Sequence, residues 1–356
     1  MKYRIFSFIL AFSLLLCTLS SCGTASGPEA QPARKLTFTD DAGRDVEIPE
    51  EITRIVPSGP LAQIVLFALC PEMLVGLANK WTPEAEGIIP TEYQELPYLG
   101  QLYGSADLNV ESLAAAAPQM IIDIGESGKT VAEDMDTLQA QTSIPGIHID
   151  AALETMPEVY RKLGSILGKE AEAEALAQFC EKILTQTQNV MEQVDDDRAT
   201  VLYCLGEDGL NVLAKGSYHA ELLDMLADNA AILEDPSPKG TGNAVDMEQI
   251  ALWDPEFIMF APGSVYADAD KDATWSGLRA ISSGNYVEIP YGPHNWMGMP
   301  PGVQRYLGLI WLPAVLYPDS CDYSVREEVA EFYELFYHCT LTEAQYEALT
   351  ANAFVS

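Results

Sequence analysis

Aromatic and hydrogen-bonding side chains recur in the segments that follow short apolar runs, and a protein uses such groups to hold a small molecule. Trp and Tyr suit a large flat or chelated ligand, while hydroxyl, amide, imidazole and guanidinium groups provide hydrogen bonds. The candidate ligand-binding residues are Ser58, Trp81, Tyr218, Asn243, Tyr266, His294, Trp296 and Arg305. Each has a structural alternative: Trp296 packs a helix, Arg305 pairs with a glutamate, and His294 is a satisfied loop histidine.

Catalytic motifs are not evident in the chain. His148, His219, His294 and His338 show neither H-E-x-x-H nor H-x-H spacing, and no G-x-S-x-G element presents a nucleophile. Residues 125–130, Gly-Glu-Ser-Gly-Lys-Thr, lack the spacing of a Walker loop, so we interpret them as a cleft loop. The sequence predicts a binding protein rather than an enzyme, with no resident cofactor or metal. A metal-dependent hydrolase assembled from scattered Asp and His is the alternative.

Length, charge and composition narrow the class of protein. The 356 residues fit two lobes of about 150 residues each. Lys and Arg number 19 against 53 Asp and Glu, and the net charge of -34 excludes a nucleic-acid partner, because such binding neutralises phosphates with cations. A hydrophobic content of 48% supplies a core and excludes wholesale disorder. One apolar stretch near the start excludes a polytopic membrane protein.

The N-terminus has the order of an export signal. Residues 1–4 are basic, residues 5–16 form an apolar run that is short for a transmembrane helix, and Leu-Ser-Ser-Cys follows at 19–22. These four residues resemble the lipobox of bacterial lipoproteins. The resemblance implies cleavage before Cys22 and a diacylglycerol thioether on its sulfur, whereas an ordinary signal peptide with an incidental cysteine is the alternative.

Strand and helix patterns alternate through the rest of the chain. Alternating residues around an Asp-Ala-Gly-Arg turn predict a hairpin over 36–49. A buried strand at 54–56, an apolar helix at 61–69 and a strand at 74–77 predict a parallel α/β sheet. Residues 109–122 and 246–259 repeat one pattern, a short helix, a Pro stop and a buried strand, at a constant offset of 137. The repeat predicts two similar α/β lobes.

Two helices separate the repeated segments. Thr155-Met156-Pro157 opens a helix that ends before Gly168, and apolar residues at helical spacing predict a second helix over 170–194. The second helix spans about 37 Å at 1.5 Å per residue, enough to connect two lobes. The predicted segments are a signal peptide at 1–21, a lipidated cysteine and tether at 22–34, an N-terminal lobe at 35–152, interlobe helices at 153–197, and a C-terminal lobe with closing helices at 198–356.

The mature chain resembles the substrate-binding lipoproteins of ABC importers for iron–siderophore complexes, haem and vitamin B12. The resemblance rests on the lipobox, TFTDDAGRDVEIP with RIV, the duplicated helix–Pro–strand, LGSILGKEAEAEALA and PPGVQRYLGLIWLPAVLYPD, in that order. It implies two α/β lobes with mostly parallel sheets, a long rigid interlobe helix and a ligand cleft between the lobes. It also implies a monomer, lipid-anchored to the outer face of the cell membrane, that delivers its ligand to an ABC permease dimer with ATPase subunits.

The resemblance assigns a role to one glutamate on each lobe. By motif position these are Glu111, in NVESLAAAAPQ, and Glu248, in DMEQIALWDPE, and in the family such residues dock with arginines of the permease. The alternative is local, because an acid near a helix N-terminus is favoured by the helix dipole alone.

The ligand is predicted in the order ferric siderophore, corrinoid or haem, and molybdate or tungstate. The negative charge of the chain disfavours a highly anionic ferric catecholate at long range. The Gly- and Ser-rich loops could supply the amide and hydroxyl donors that an oxyanion needs.

Overall fold

The computed structural model describes residues 35–101 and 109–355. The predicted signal peptide and the lipidated Cys22 with its tether lie outside these residues. Within the described part of the chain, no helix is both long enough and apolar enough to cross a membrane.

The first lobe is built on a small parallel sheet. The predicted hairpin is formed by β1 (Lys35–Thr39) and β2 (Asp45–Pro49). The sheet contains β3 (Ile55–Pro57), β4 (Met120–Gly125) and β5 (Gly146–Asp150), in that spatial order and all parallel. The three strands are almost wholly buried, as expected of a parallel sheet covered by helices on its faces.

Four helices accompany the first sheet: α1 (Pro60–Leu69), α2 (Thr91–Gln94), α3 (Val110–Ala116) and α4 (Val131–Thr142). Helix α1 has proline at its first position, where the missing N–H costs nothing, and the rest of the helix is apolar and mostly buried.

The central pair of helices matches the predicted bounds closely. Helix α5 (Met156–Leu167) ends at Gly168, whose φ of 64° is left-handed, and α6 (Glu170–Val194) follows. The two helices pack so closely that a Cβ on Gly164 would lie 2.4 Å from the Cβ of Ala173. A side chain at Gly164 would therefore force the helices apart.

The second lobe contains a mixed sheet. Its strands are β6 (Thr200–Leu205), β7 (Asn211–Val212), β8 (Asp228–Asn229), β9 (Asn243–Ala244), β10 (Phe257–Phe260) and β11 (Tyr286–Glu288). The order is β11-β10-β6-β7-β9, with β8 also paired to β6. Strands β11, β10, β6 and β8 run parallel, and the short β7 and β9 are antiparallel additions.

The remaining helices are α7 (Glu221–Leu226), α8 (Met247–Trp253), α9 (Arg279–Ser282), α10 (Arg305–Leu316), α11 (Val325–Tyr337) and α12 (Glu343–Leu349). Short 3-10 turns occupy Pro71–Met73, Pro83–Ala85, Tyr218–Ala220, Val265–Asp268, Trp275–Gly277 and Pro318–Ser320. Helix α10 contacts α6 and α7, whereas α11 returns to pack against α1 of the first lobe.

The architecture confirms the predicted fold class of two α/β lobes with mostly parallel sheets and a long connecting helix. The division into an N-terminal lobe at 35–152, interlobe helices at 153–197 and a C-terminal lobe at 198–356 stays a prediction. The cysteines in the described residues, Cys70, Cys180, Cys204, Cys321 and Cys339, are all free thiols.

Candidate functional site

The carboxyl ends of β3, β4 and β5 bring three buried polar side chains together. Asp123 of β4 is paired in register with His148 of β5, and His148 Nδ1 lies 2.6 Å from Asp123 Oδ2. Ser58, directly after β3, donates its hydroxyl to Asp123 Oδ1 at 2.5 Å. Both carboxylate oxygens of Asp123 are thus hydrogen-bonded by the protein, which is what a buried acid requires.

Ser127 extends this arrangement to the surface. Its Oγ lies 3.2 Å from His148 Nε2, and the residue is exposed. The backbone N–H of Ser127 donates to Asp150 Oδ1 at 2.7 Å, which ties the loop to the end of β5. We refer to Ser58, Asp123, Ser127 and His148 as the serine–histidine cluster.

The N-terminal hairpin holds the strand that carries His148, through Asp40 and Arg44. Asp40 is buried and accepts hydrogen bonds from the His148 N–H at 3.2 Å and from Arg44 Nη1 at 2.9 Å. Arg44 Nη1 also donates to the carbonyl of Gly146 at 3.0 Å. The backbone of β5 is therefore held at His148 and two residues before it.

A pocket of about 290 Å³ lies against the cluster. Its lining includes Ser58, Leu61, Ala62, Asp123, Glu126 and His148. The pocket faces the first turn of α1, where no side chain caps the backbone N–H groups. The amides of Leu61 and Ala62 have no acceptor within the helix, so this end of the pocket offers donors to an anionic or carbonyl oxygen.

The second lobe contributes a buried cation. Arg305, at the start of α10, is 6% exposed and forms an ion pair with Glu221 of α7. Its Nε has no hydrogen-bond partner among the residues that the structure describes. An unpaired buried donor costs free energy, so this N–H is a candidate donor to a ligand acceptor.

Tyr218 and His219 lie beside this cation. Burial raises the pKa of Tyr218; the charge of Arg305 opposes this rise, and the charges of Glu126 and Glu221 add to it. Burial and the charge of Arg305 lower the pKa of His219. Glu126 belongs to the first lobe and Tyr218 to the second, so the two lobes approach one another here.

Trp81 and His294 also meet across the lobes. Their ring centroids are 5.6 Å apart, and the neighbouring Thr82 hydroxyl donates to the carbonyl of Pro293 at 3.2 Å. Burial lowers the pKa of His294 to about 4, so its imidazole is neutral at pH 7. In the described part of the chain, neither Trp81 Nε1 nor His294 Nε2 has a hydrogen-bond partner.

The other predicted ligand residues lie in different surroundings. Tyr266 packs against Tyr286 with ring centroids 5.4 Å apart, and Trp296 is fully buried. The Asn243 side chain accepts from the Ser237 N–H at 2.8 Å, which fixes a turn. The structure thus brings Tyr218 to Arg305 and Trp81 to His294, and leaves these three residues outside both groups. Ligand contact stays a prediction for all of the named positions.

Asp123 and His148 could not be found from spacing, because 25 residues separate them and only strand register brings them together. One signal was present in the sequence: each is a polar residue with an isoleucine on either side. Within residues 35–101 and 109–355, no group of three or more His, Cys, Asp or Glu side chains could hold a metal ion.

The repeated helices α3 and α8 have matching ends. At their N-termini, the side chains of Asn109 and Asp246 accept from the backbone N–H three residues on, at 2.9 and 2.8 Å. Glu111 and Glu248 are exposed in the first turns. Neither glutamate forms an ion pair with any described residue.

The family follows from the sequence. A family model described as periplasmic binding protein matches residues 75–291. The chain belongs to this family. Periplasmic binding proteins are extracytoplasmic solute-binding proteins, and each passes a small-molecule ligand to an ABC permease with its ATPase. No curated protein sequence matches the chain significantly.

Solved structures of periplasmic binding proteins agree with this assignment. An ABC transporter solute-binding protein from Sulfurospirillum deleyianum has a TM-score of 0.80 and 28% identity, over 88% of this chain and 99% of that chain. A periplasmic solute-binding protein from Veillonella parvula has a TM-score of 0.71 and 24% identity, over 89% and 97%. The Haemophilus influenzae protein MolA, bound to molybdate, has a TM-score of 0.65 and 18% identity, over 86% and 99%. The last two show the fold alone.

Proposed function

We propose that this periplasmic binding protein captures a metal chelate between its lobes and delivers it to an ABC importer. A ferric siderophore is the first choice of ligand, and a corrinoid or haem is the next. The observation that carries the proposal is the presence of unsatisfied donors on both lobes. Ser58 and the open α1 amides line a pocket on the first lobe. The unpaired Nε of Arg305 lies on the second lobe, beside Tyr218, whose pKa is affected by the charge of Glu126 at the edge of that pocket. The transport role is binding and delivery, for which the protein supplies no chemical step.

A molybdate or tungstate oxyanion is the second candidate. The pocket of about 290 Å³ is small, and it has a serine hydroxyl beside the uncapped amides of a ten-residue helix. Backbone amides at a helix N-terminus, together with a hydroxyl, suit a tetrahedral anion. MolA, which has the same fold, is bound to molybdate in its structure, and this supports the oxyanion candidate.

The docking role of Glu111 and Glu248 belongs to the same proposal. Both acids are exposed on helices with matching caps, so the two lobes present equivalent carboxylates. Arginine binds a carboxylate bidentately, which gives the contact a direction. Two equivalent acids fit the related subunits of a permease dimer. We also propose that lipidated Cys22 holds a monomeric binding protein at the outer face of the membrane.

A thermal-shift panel tests the choice of ligand. The purified protein, carrying Cys22→Ser so that no lipid is attached, is mixed with ferric hydroxamates, ferric catecholates, cobalamin, haem, molybdate or tungstate. A ligand at 100 times its Kd stabilises the native state by about 2.7 kcal/mol. A saturable rise in Tm with one class identifies the solute. A flat panel contradicts both candidate classes while leaving the family assignment intact.

A further inference from the structure

We propose that Ser127 is a nucleophile, activated by His148 and Asp123, that accepts an acyl group from a carboxylic ester bound beside the pocket that His148 and Asp123 line. The geometry has the three parts that such a site needs. Ser127 Oγ is 3.2 Å from His148 Nε2, and His148 Nδ1 is 2.6 Å from Asp123 Oδ2. The imidazole thus connects a hydroxyl on one ring nitrogen to a carboxylate on the other.

Burial and exposure are distributed as this chemistry requires. His148 is 1% exposed and Asp123 is 5% exposed, so the base and the acid that orients it are held in one geometry. Ser127 is exposed, on the loop between β4 and α4. The loop is tied by the Ser127 N–H to Asp150, which leaves the Ser127 hydroxyl to face His148.

The surroundings offer donors for a developing oxyanion. Gly128 follows the nucleophile, and a Cβ there would meet only Val131, at 3.7 Å, so the backbone is open to a ligand. Leu61 and Ala62, whose amides have no acceptor within α1, line the neighbouring pocket that His148 also lines. Backbone N–H groups from these two places are the kind of donors that stabilise a tetrahedral intermediate.

The reaction is acyl transfer followed by hydrolysis. Ser127 Oγ attacks the ester carbonyl, and its proton passes to His148 Nε2. The C–O bond to the alcohol breaks, and the alcohol leaves with the proton held by His148. Water then attacks the acyl-serine, His148 takes one proton from the water and returns it to Ser127, and the carboxylic acid is released. This activity would be added to solute capture and needs no other reactant.

The test is acylation of the intact protein by p-nitrophenyl acetate. The expected result is a burst of p-nitrophenolate and one added acetyl group on the peptide that carries Ser127. Ser127→Ala should abolish the burst, and Asp123→Asn should slow it at least about 100-fold, the usual contribution of an oriented general base. Ser283→Ala, at an exposed serine after α9, is the matched control and should leave the burst unchanged.

The position of the acetyl group in the unsubstituted protein is located by mass spectrometry. This measurement needs no variant, so a variant that folds poorly cannot affect it. Acetyl groups spread over surface lysines and serines, or a burst that survives Ser127→Ala, would overturn the proposal. So would equal rates in the Asp123→Asn variant and the unmodified protein. Solute binding is measured separately in the thermal-shift panel, so failure of one proposal leaves the other standing.

Discussion

Arg54 and Arg279 cap the C-terminal ends of the equivalent helices α3 and α8 in the two lobes. Arg54 Nε donates to the carbonyl of Ala117 at 3.2 Å, and Arg279 Nη2 donates to the carbonyl of Asp254 at 2.8 Å. The acceptors are related by the sequence repeat, whereas the arginines come from unrelated segments. A cation at the last carbonyls of each helix satisfies an acceptor and opposes the negative end of the helix dipole.

Removing either arginine should weaken its lobe slightly. We expect Arg54→Ala and Arg279→Ala each to lower the free energy of unfolding by about 0.5–1 kcal/mol, since each loses an exposed hydrogen bond and a favourable dipole contact. Urea denaturation measures the change. Lys239→Ala removes an exposed cation that forms no ion pair with any residue the structure describes; it is the control and should stay within about 0.5 kcal/mol. Equal effects at all three positions would contradict the capping role.

Charge reversal at the docking acids should separate transport from binding. Under the proposed docking role, we expect Glu111→Arg with Glu248→Arg to abolish uptake, because each lobe would then present a cation to the arginines proposed on the permease. Ligand affinity should not change, as measured by calorimetry beside uptake into proteoliposomes. Glu347→Arg reverses another exposed acid, on α12, and should leave uptake intact. Normal uptake by the double variant would disprove the docking assignment.

His294 should make stability depend on pH. Burial lowers its pKa from 6.5 to about 4, so between these values the unfolded state binds more protons than the native state. The free energy of unfolding therefore falls as the pH drops through this window, by at most about 1.4 kcal/mol per pH unit. His294→Phe should flatten this part of the profile in denaturation measured from pH 4 to 7. An unchanged slope would show that His294 is not the group responsible.

The buried acid of the serine–histidine cluster should matter more for stability than its serine partner. Asp123→Ala leaves both Ser58 and His148 without their acceptor, so we expect a loss of about 2–4 kcal/mol. Ser58→Ala removes one of two donors, and about 1 kcal/mol should be lost. Thermal denaturation distinguishes the two variants. Equal losses would mean that water satisfies Ser58 and His148 after the truncation.

Arg305 should control ligand affinity through its hydrogen-bond geometry. Under the proposed function, Arg305→Lys keeps the charge but removes the planar fork, so affinity should fall at least about tenfold, or 1.4 kcal/mol. Arg279→Lys, in the same lobe but capping α8, should bind normally. Titration calorimetry with the solute from the panel makes the comparison. Full affinity in Arg305→Lys would remove Arg305 from the ligand site.

Local sequence signals were enough to predict the architecture. The constant offset between residues 109–122 and 246–259 located two equivalent helices, and Gly168 located the break between α5 and α6. These features depend on neighbours in the chain: caps, proline stops and helical periodicity.

The composition of the site could be predicted only in part. Ser58 follows a strand and lines the pocket, which loop position indicated. Asp123 and His148 depend on the register of β4 against β5, and Arg305 finds Glu221 across 84 residues. No local pattern encodes such pairings. Trp296 shows that loop position can also mislead. Its segment resembles a loop in the sequence, but the side chain is fully buried in the fold.

Under the proposed docking role, the 25-residue helix α6 determines how Glu111 and Glu248 act together. Because a continuous helix connects the lobes, the two acids would then form one bivalent ligand with a preset span. After the first acid binds, the second meets its site at an effective concentration set by the protein, which can reach the millimolar range. A permease whose two sites are spaced differently loses that gain even if each site fits. If the acids dock as proposed, the length of α6 contributes to partner choice as directly as the acids do.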